Sequence, residues 1–118
     1  MSSSPLQIEA KKVAALYARW LRLPEDALFH GGRGPVMKMY EALKSAKGKD
    51  DIKSILDLSK YEMEKQTFND LTRLVNEILN RIQNMNDSDA VAFTLEVFRY
   101  FQIALATKIE DVKKGYWA

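Results

Sequence analysis

The sequence predicts an all-α protein: a single-domain bundle of about five helices that spans residues 1–118 and buries its C-terminal helix. Apolar residues recur at helical spacing through five successive segments, and Pro, Gly or capping residues separate those segments. The composition is that of a globular domain, with 47% hydrophobic and 29% charged residues. A chain of 118 residues is long enough to bury one hydrophobic core.

The most apolar segment, residues 90–112, is the predicted central helix. At about 100° per residue its apolar side chains fall into two neighbouring stripes. The first stripe consists of Val91, Leu95, Phe98, Leu105, Ile109 and Val112, and the second of Phe93, Val97, Tyr100, Phe101 and Ala104. Together they cover more than half of the helix circumference, whereas a surface helix needs about 100°. We therefore expect this helix to be packed on two sides.

The first helix is predicted over residues 5–23, with Ser4 and Gln7 as a capping box, Pro5 at the first helical position and Pro24 as the stop. Its expected core face is Leu6, Val13, Leu16, Tyr17, Trp20 and Leu23. The opposite face carries a basic strip of Lys11, Lys12, Arg19 and Arg22. Such a strip is either a solvated outer face or a surface that follows nucleic-acid phosphates, because Lys and Arg supply the salt-dependent part of nucleic-acid affinity.

Residues 24–35, PEDALFHGGRGP, form the predicted first connection. Three glycines in four positions permit backbone angles closed to other residues. With Arg33 supplying charge, the backbone amides of this loop could surround an anion. The GxxxxGK[ST] spacing of a phosphate-binding loop is missing and no strand precedes the segment. The alternative interpretation is a flexible connector that reverses the chain.

Three further helices are predicted over residues 36–47, 51–58 and 59–84. Gly48 is the expected C-cap of the first of these, Asp50 caps the next, and Ser59 with Glu62 forms a capping box for the third. Asp87 or Ser88 is the expected cap of the central helix. Two outer faces follow from the helical periodicity: a basic one of Lys38, Lys44 and Lys47, and a solvated one of alternating sign, with Lys65, Asp70, Arg73, Glu77 and Arg81.

Charge is distributed unevenly along the chain although the net charge is only +2. Residues 1–49 hold nine Lys or Arg and four Asp or Glu, whereas residues 50–118 hold nine and twelve. This polarity fits a basic face that meets an anion, or two complementary ends of an oligomer. A difference of this size also arises by chance.

The chemistry of the residues argues against an enzyme. One histidine and no cysteine leave no material for a zinc site or a Cys–His or Ser–His nucleophile pair, and the carboxylates fall at helix starts or on outer faces. We therefore expect no catalytic residue, no metal and no cofactor. The N-terminal segment lacks the apolar stretch of a signal peptide, and no run of about 18 apolar residues could span a membrane. A cytoplasmic protein without membrane contact is expected.

Tyr116 and Trp117 are adjacent aromatic residues near the C-terminus. They could fold back as a lid on the core, anchor a partner chain, or stack on nucleic-acid bases. Because they could anchor a partner chain, Tyr116 and Trp117 are candidate partner-binding residues.

Two segments carry a family resemblance: VAALYARWL at residues 13–21, and VMKMYEALKSAK at residues 36–47, with a Gly-containing loop between them. This region resembles the small subunit of CRISPR surveillance complexes, nearest the archaeal type I-A kind, in which a helix of the form YEAL follows the first loop. The resemblance implies a non-catalytic subunit of antiviral defence, stacked in several copies along the guide RNA, with basic faces that help to hold unwound DNA. Sequence specificity would then belong to guide pairing.

The sequence thus predicts a non-catalytic accessory subunit of a larger protein complex, which self-associates and binds the backbone of single-stranded DNA or RNA non-specifically. The candidate nucleic-acid-binding residues are Lys11, Lys12, Arg19, Arg22, Arg33, Lys38, Lys44 and Lys47. The alternative function is a helical adaptor or oligomerisation module that bridges protein subunits without nucleic acid.

Overall fold

Five α-helices and one 3-10 turn build the described part of this computed structural model, residues 5–20, 35–63 and 65–105. The helices are α1 (Pro5–Trp20), α2 (Pro35–Leu43), α3 (Lys49–Ile55), α4 (Lys65–Ile82) and α5 (Asp87–Leu105), and the 3-10 turn is Leu58–Lys60. No strand occurs in these ranges, so the prediction of an all-α bundle is confirmed. Within them, no helix has the length and apolar character that crossing a membrane requires.

Helix α5 lies at the centre of the fold, where α1, α2, α3 and α4 all contact it. Its buried residues span about 160° of the helix, and they are Ala90, Phe93, Thr94, Val97, Phe98, Tyr100, Phe101 and Ala104. The second predicted stripe is therefore buried throughout. Of the first-stripe side chains that the structure describes, Phe98 is fully buried, whereas Val91 and Leu95 are half-buried. The neighbouring helices thus bury one broad side of α5 fully, and Val91, Leu95 and Ile103 beside it pack against the core while partly buried. Residues 106–112 lie outside the described ranges.

Small side chains set the contact between α1 and α5, which is the most extensive helix–helix contact described. Ala10, Val13 and Ala14 are buried, and Tyr17 is partly buried. Alanine permits close approach of the two backbones, so α1 turns its alanines toward α5. Leu16, a predicted core residue, is instead 42% exposed. That prediction was wrong because it gave weight to large apolar residues and none to alanine.

Helix α2 ends four residues earlier than predicted. The N–H groups of Ser45 and Ala46 donate to the carbonyl oxygens three residues before them, each at 3.1 Å, and so close the helix with tight turns. Gly48 is therefore not the C-cap of α2. It is the N-cap of α3, with extended backbone angles. Asp50 does not cap α3 through its side chain. The neighbouring Asp51 carboxylate accepts the Lys47 N–H at 2.8 Å.

The capping box predicted at Ser59 and Glu62 does not form, because Asp57 binds Ser59 instead. The Asp57 Oδ1 accepts the N–H of Ser59 at 3.1 Å and the Ser59 hydroxyl at 2.6 Å, which fixes the 3-10 turn. Tyr61 then adopts an extended conformation, and α4 begins only at Lys65. Ser59 consequently caps no α-helix.

Asn86, rather than Asp87 or Ser88, caps α5. Its side-chain oxygen accepts the N–H of Asp89 at 2.7 Å. Asp87 instead reaches across the bundle, where its Oδ1 accepts the N–H of Lys49 at 3.1 Å. The start of α5 thereby caps the start of α3.

Gly48 is required by this cross-helix cap. A Cβ atom at position 48 would lie 2.8 Å from Cγ of Asp87, closer than real contacts allow. We expect Gly48→Ala to lower the free energy of unfolding by about 1–2 kcal/mol, because the methyl group must displace the Asp87 carboxylate from Lys49. Urea denaturation in a double-mutant cycle with Asp87→Ala measures this coupling. An equal effect of Gly48→Ala in both backgrounds would contradict the explanation.

Candidate nucleic-acid interface

The predicted basic strip of α1 is interrupted by apolar and acidic side chains. Of its members the structure describes Lys11 and Lys12 in full, and the ammonium of Lys12 lies 3.3 Å from Oε1 of Glu9. Ile8 is 43% exposed and Leu16 is 42% exposed. Each lies four residues, about one helical turn, from Lys12. Up to Tyr17, where the side chains of α1 are described, its outer face is therefore a mixed surface rather than a continuous row of cations. Sequence reasoning missed the exposure of Ile8 and Leu16 because it assigned Leu16 to the core.

The three lysines predicted on the second helix are all exposed, as expected. We call Lys38, Lys44 and Lys47 the lysine surface. Lys38 lies on the outward face of α2, and the other two follow in its connection to α3. The ammonium of Lys44 lies 3.1 Å from Oε1 of Glu41 and 4.8 Å from the centroid of the Tyr40 ring. These contacts hold Lys44 close to α2 without burying it.

The lysine surface and the outer face of α1 belong to separate parts of the bundle. Helices α1 and α2 both pack against α5, and in the described part of the chain they make little contact with each other. The three lysines of the lysine surface are thus exposed within residues 38–47, and no extensive contact between α1 and α2 joins them to Lys11 and Lys12 in the described part of the chain.

Four predicted residues lie outside the described ranges, namely Arg22, Arg33, Tyr116 and Trp117, and so does the whole glycine-rich segment at residues 24–34. Arg19 lies on α1, but its side chain is likewise not described. The predictions for these residues stay predictions.

A chain of ion pairs joins α1 to α4. Arg81 donates from Nη1 to Oε2 of Glu9 at 3.1 Å and from Nε to Oε2 of Glu77 at 3.0 Å, while the Tyr17 hydroxyl lies 3.3 Å from the other oxygen of Glu77. The predicted alternation of sign on α4 is therefore not a purely solvated surface. Glu77 and Arg81 connect two helices, and Asp70 is buried.

This chain of ion pairs makes stability depend on pH. Hydrogen bonds from Arg81 and then Lys12 hold the pKa of Glu9 below its usual value of 4.5. A carboxylate whose pKa is lower in the folded state stabilises the fold above its unfolded pKa, and that contribution is lost as pH falls through the folded pKa. We expect Glu9→Gln to unfold at lower urea than the wild type at pH 7, and the difference to shrink as pH falls through the folded pKa of Glu9.

The matched control for this experiment is Glu41→Gln, which removes a carboxylate that pairs with Lys44 three residues along the chain and joins no two helices. Its effect at pH 7 should be the smaller of the two. A difference between wild type and Glu9→Gln that persists unchanged at pH 3 would show that the carboxylate charge is not what matters.

A row of amide side chains, which sequence reasoning did not single out, faces solvent along α4. Asn69, Asn76 and Asn80 are exposed on this face, and Gln83 continues it just after the helix. The sequence did hold a signal, because all five asparagines of the chain fall within residues 69–86. Beside the row, an open groove of ≈ 570 Å³ runs between α4 and Tyr17 of α1.

No protein-family model matches the chain, and no curated protein or solved structure was found to match it. The resemblance to a CRISPR small subunit therefore stays a hypothesis.

Proposed function

We propose that this chain is a non-catalytic accessory subunit of a nucleoprotein assembly, similar in role to a CRISPR effector small subunit, and that it contacts nucleic-acid backbone without reading sequence. The lysine surface makes the described part of this contact. Lys11 and Lys12 on α1 add to it from a second face, together with the arginines at positions 19, 22 and 33. In this proposal the protein works in the cytoplasm beside other protein subunits.

The observation that supports the proposal is the exposure of three lysines within ten residues of chain. The one acidic residue among them, Glu41, is paired with Lys44. Exposed lysines at this density attract phosphates and release the counterions around them, and that release makes nucleic-acid affinity depend on salt. A flexible ammonium group fits a backbone phosphate without a fixed geometry.

The test is fluorescence anisotropy with labelled single-stranded and duplex oligonucleotides at 50 and 200 mM salt. We expect the wild type to bind more tightly at low salt and equally across sequences. Lys38→Glu with Lys47→Glu should weaken binding by at least about tenfold. The slope of log affinity against log salt should fall by the amount that one to two phosphate contacts contribute.

The control pair, Lys53→Glu with Lys65→Glu, changes net charge by the same amount at two exposed positions on other helices. It should leave most of the affinity in place. Equal losses in both pairs would show a general charge effect without a site. Absence of binding by the wild type at 50 mM salt would contradict the proposed function.

The second candidate function is a protein-bridging adaptor, and the exposed Ile8 and Leu16 on α1 favour it. Large apolar side chains that flank a charged residue on one helix face are typical of the centre and rim of a protein interface. If this face mediates self-association, Ile8→Ser with Leu16→Ser should shift the sedimentation-equilibrium mass toward the monomer. If the wild type self-associates and the variant has the same mass, the interface lies elsewhere on the protein.

A further inference from the structure

The groove between α1 and α4 has a lining that is unusual for an outer helix face. We call the groove the amide groove and define it by Tyr17 on α1 and by Arg73, Asn76, Asn80 and Gln83 on the α4 side. The four residues on the α4 side are exposed. Asparagine is a poorer helix former than the lysine and glutamate that normally cover such faces. Its repeated use here has no explanation in helix stability.

The groove exposes three amide side chains and the guanidinium of Arg73, and its one carboxylate, Glu77, is paired with neighbouring side chains. Glu77 also lines the groove, but its oxygens lie 3.0 Å from Nε of Arg81 and 3.3 Å from the Tyr17 hydroxyl. That pairing balances the negative charge of Glu77 at the groove edge. The outward side of the groove is therefore neutral or positive, which is complementary to an anionic polymer.

Each amide offers both a hydrogen-bond donor and an acceptor, as the edges of nucleic-acid bases do. Asn and Gln side chains pair with base edges, and Arg73 can take a phosphate or a base edge. Protein interfaces instead centre on large apolar or aromatic anchors. The two large apolar side chains lining the groove, Tyr17 and Leu79, are only partly exposed and pack against the core, and the Tyr17 hydroxyl is paired with Glu77.

We propose that the amide groove binds unpaired nucleotides through their bases, with Asn76 and Asn80 contacting base edges and Arg73 contacting the backbone. The open groove, with a volume of ≈ 570 Å³, has room for a base that is splayed out of a single strand. A base inside a duplex cannot present the same edges to it. The inference rests on the proposed function in one respect, since both need nucleic acid as the ligand. It adds to the lysine surface a second nucleic-acid-binding surface. There the affinity comes from hydrogen bonds to bases rather than from charge.

The test compares two labelled 12-nucleotide single strands of equal charge, one with bases and one built entirely of abasic sites, at 200 mM salt. We expect the wild type to bind the strand with bases about tenfold more tightly, which corresponds to two hydrogen bonds of ordinary strength. Asn76→Ala with Asn80→Ala should bind both strands equally. These exposed substitutions favour the helix, so the variant is expected to fold.

The matched control is Asn69→Ala, which removes the same amide about 10 Å further along α4 and outside the groove lining. It should keep the wild-type preference. Lys38→Glu with Lys47→Glu should weaken binding of both strands alike and keep their ratio.

A wild type that binds the two strands equally, or a preference that survives in Asn76→Ala with Asn80→Ala, would overturn the amide groove and leave the proposed function standing. A wild type that binds neither strand even at 50 mM salt would overturn both.

Discussion

Phe93→Ala is expected to lower the free energy of unfolding by about 3–5 kcal/mol. Phe93 is fully buried on the face of α5 that the other helices cover, so removal of its ring leaves a cavity where several elements meet. A domain of this size has a total stability of about 5–15 kcal/mol, and the loss would consume a large part of it. Urea denaturation followed by circular dichroism measures the effect.

Phe68→Ala serves as the matched control, because Phe68 is the same residue type but 39% exposed at the start of α4. Its loss should stay below about 1 kcal/mol. Comparable losses for the two variants would mean that α5 is not the centre of the core.

Ala14→Leu is expected to destabilise the protein by about 1–3 kcal/mol. Ala14 is fully buried, and α1 contacts α5 more extensively than any other helix does. The added side-chain atoms must push the two helices apart or force neighbouring side chains from their rotamers. Chemical denaturation of the variant against the wild type gives the magnitude.

Leu16→Ala distinguishes the observed packing from the one that the sequence predicts. Leu16 is 42% exposed, so its truncation should cost less than about 1 kcal/mol. A core face that included Leu16 would reverse the order of the two variants. A larger loss for Leu16→Ala than for Ala14→Leu would therefore show that α1 is rotated relative to the orientation described here.

The sequence predicted the lysine surface but only part of the remaining candidate site. Exposure of Lys38 follows from helical periodicity, which is a local property, whereas Lys44 and Lys47 are exposed because they lie in the connection after α2. The pairing of lysines with nearby glutamates, as in Lys12 with Glu9, was equally local and was overlooked. The clustering of asparagines was visible in the sequence, but the groove beside them was not, because its wall at Tyr17 is sixty residues from Glu77.

Within the described ranges, the sequence by itself determined the order and approximate extent of the helices, since apolar spacing and helix-breaking residues act within a few positions of the chain. Only the tertiary structure decided which face of α1 meets α5, because close approach depends on alanines opposite a second helix. It also decided the role of the acids: Asp87 caps a helix that begins 38 residues away, and Glu9 pairs with Arg81 across 72 residues. Local pattern cannot predict such partners, because a carboxylate pairs with whichever donor the fold brings near it.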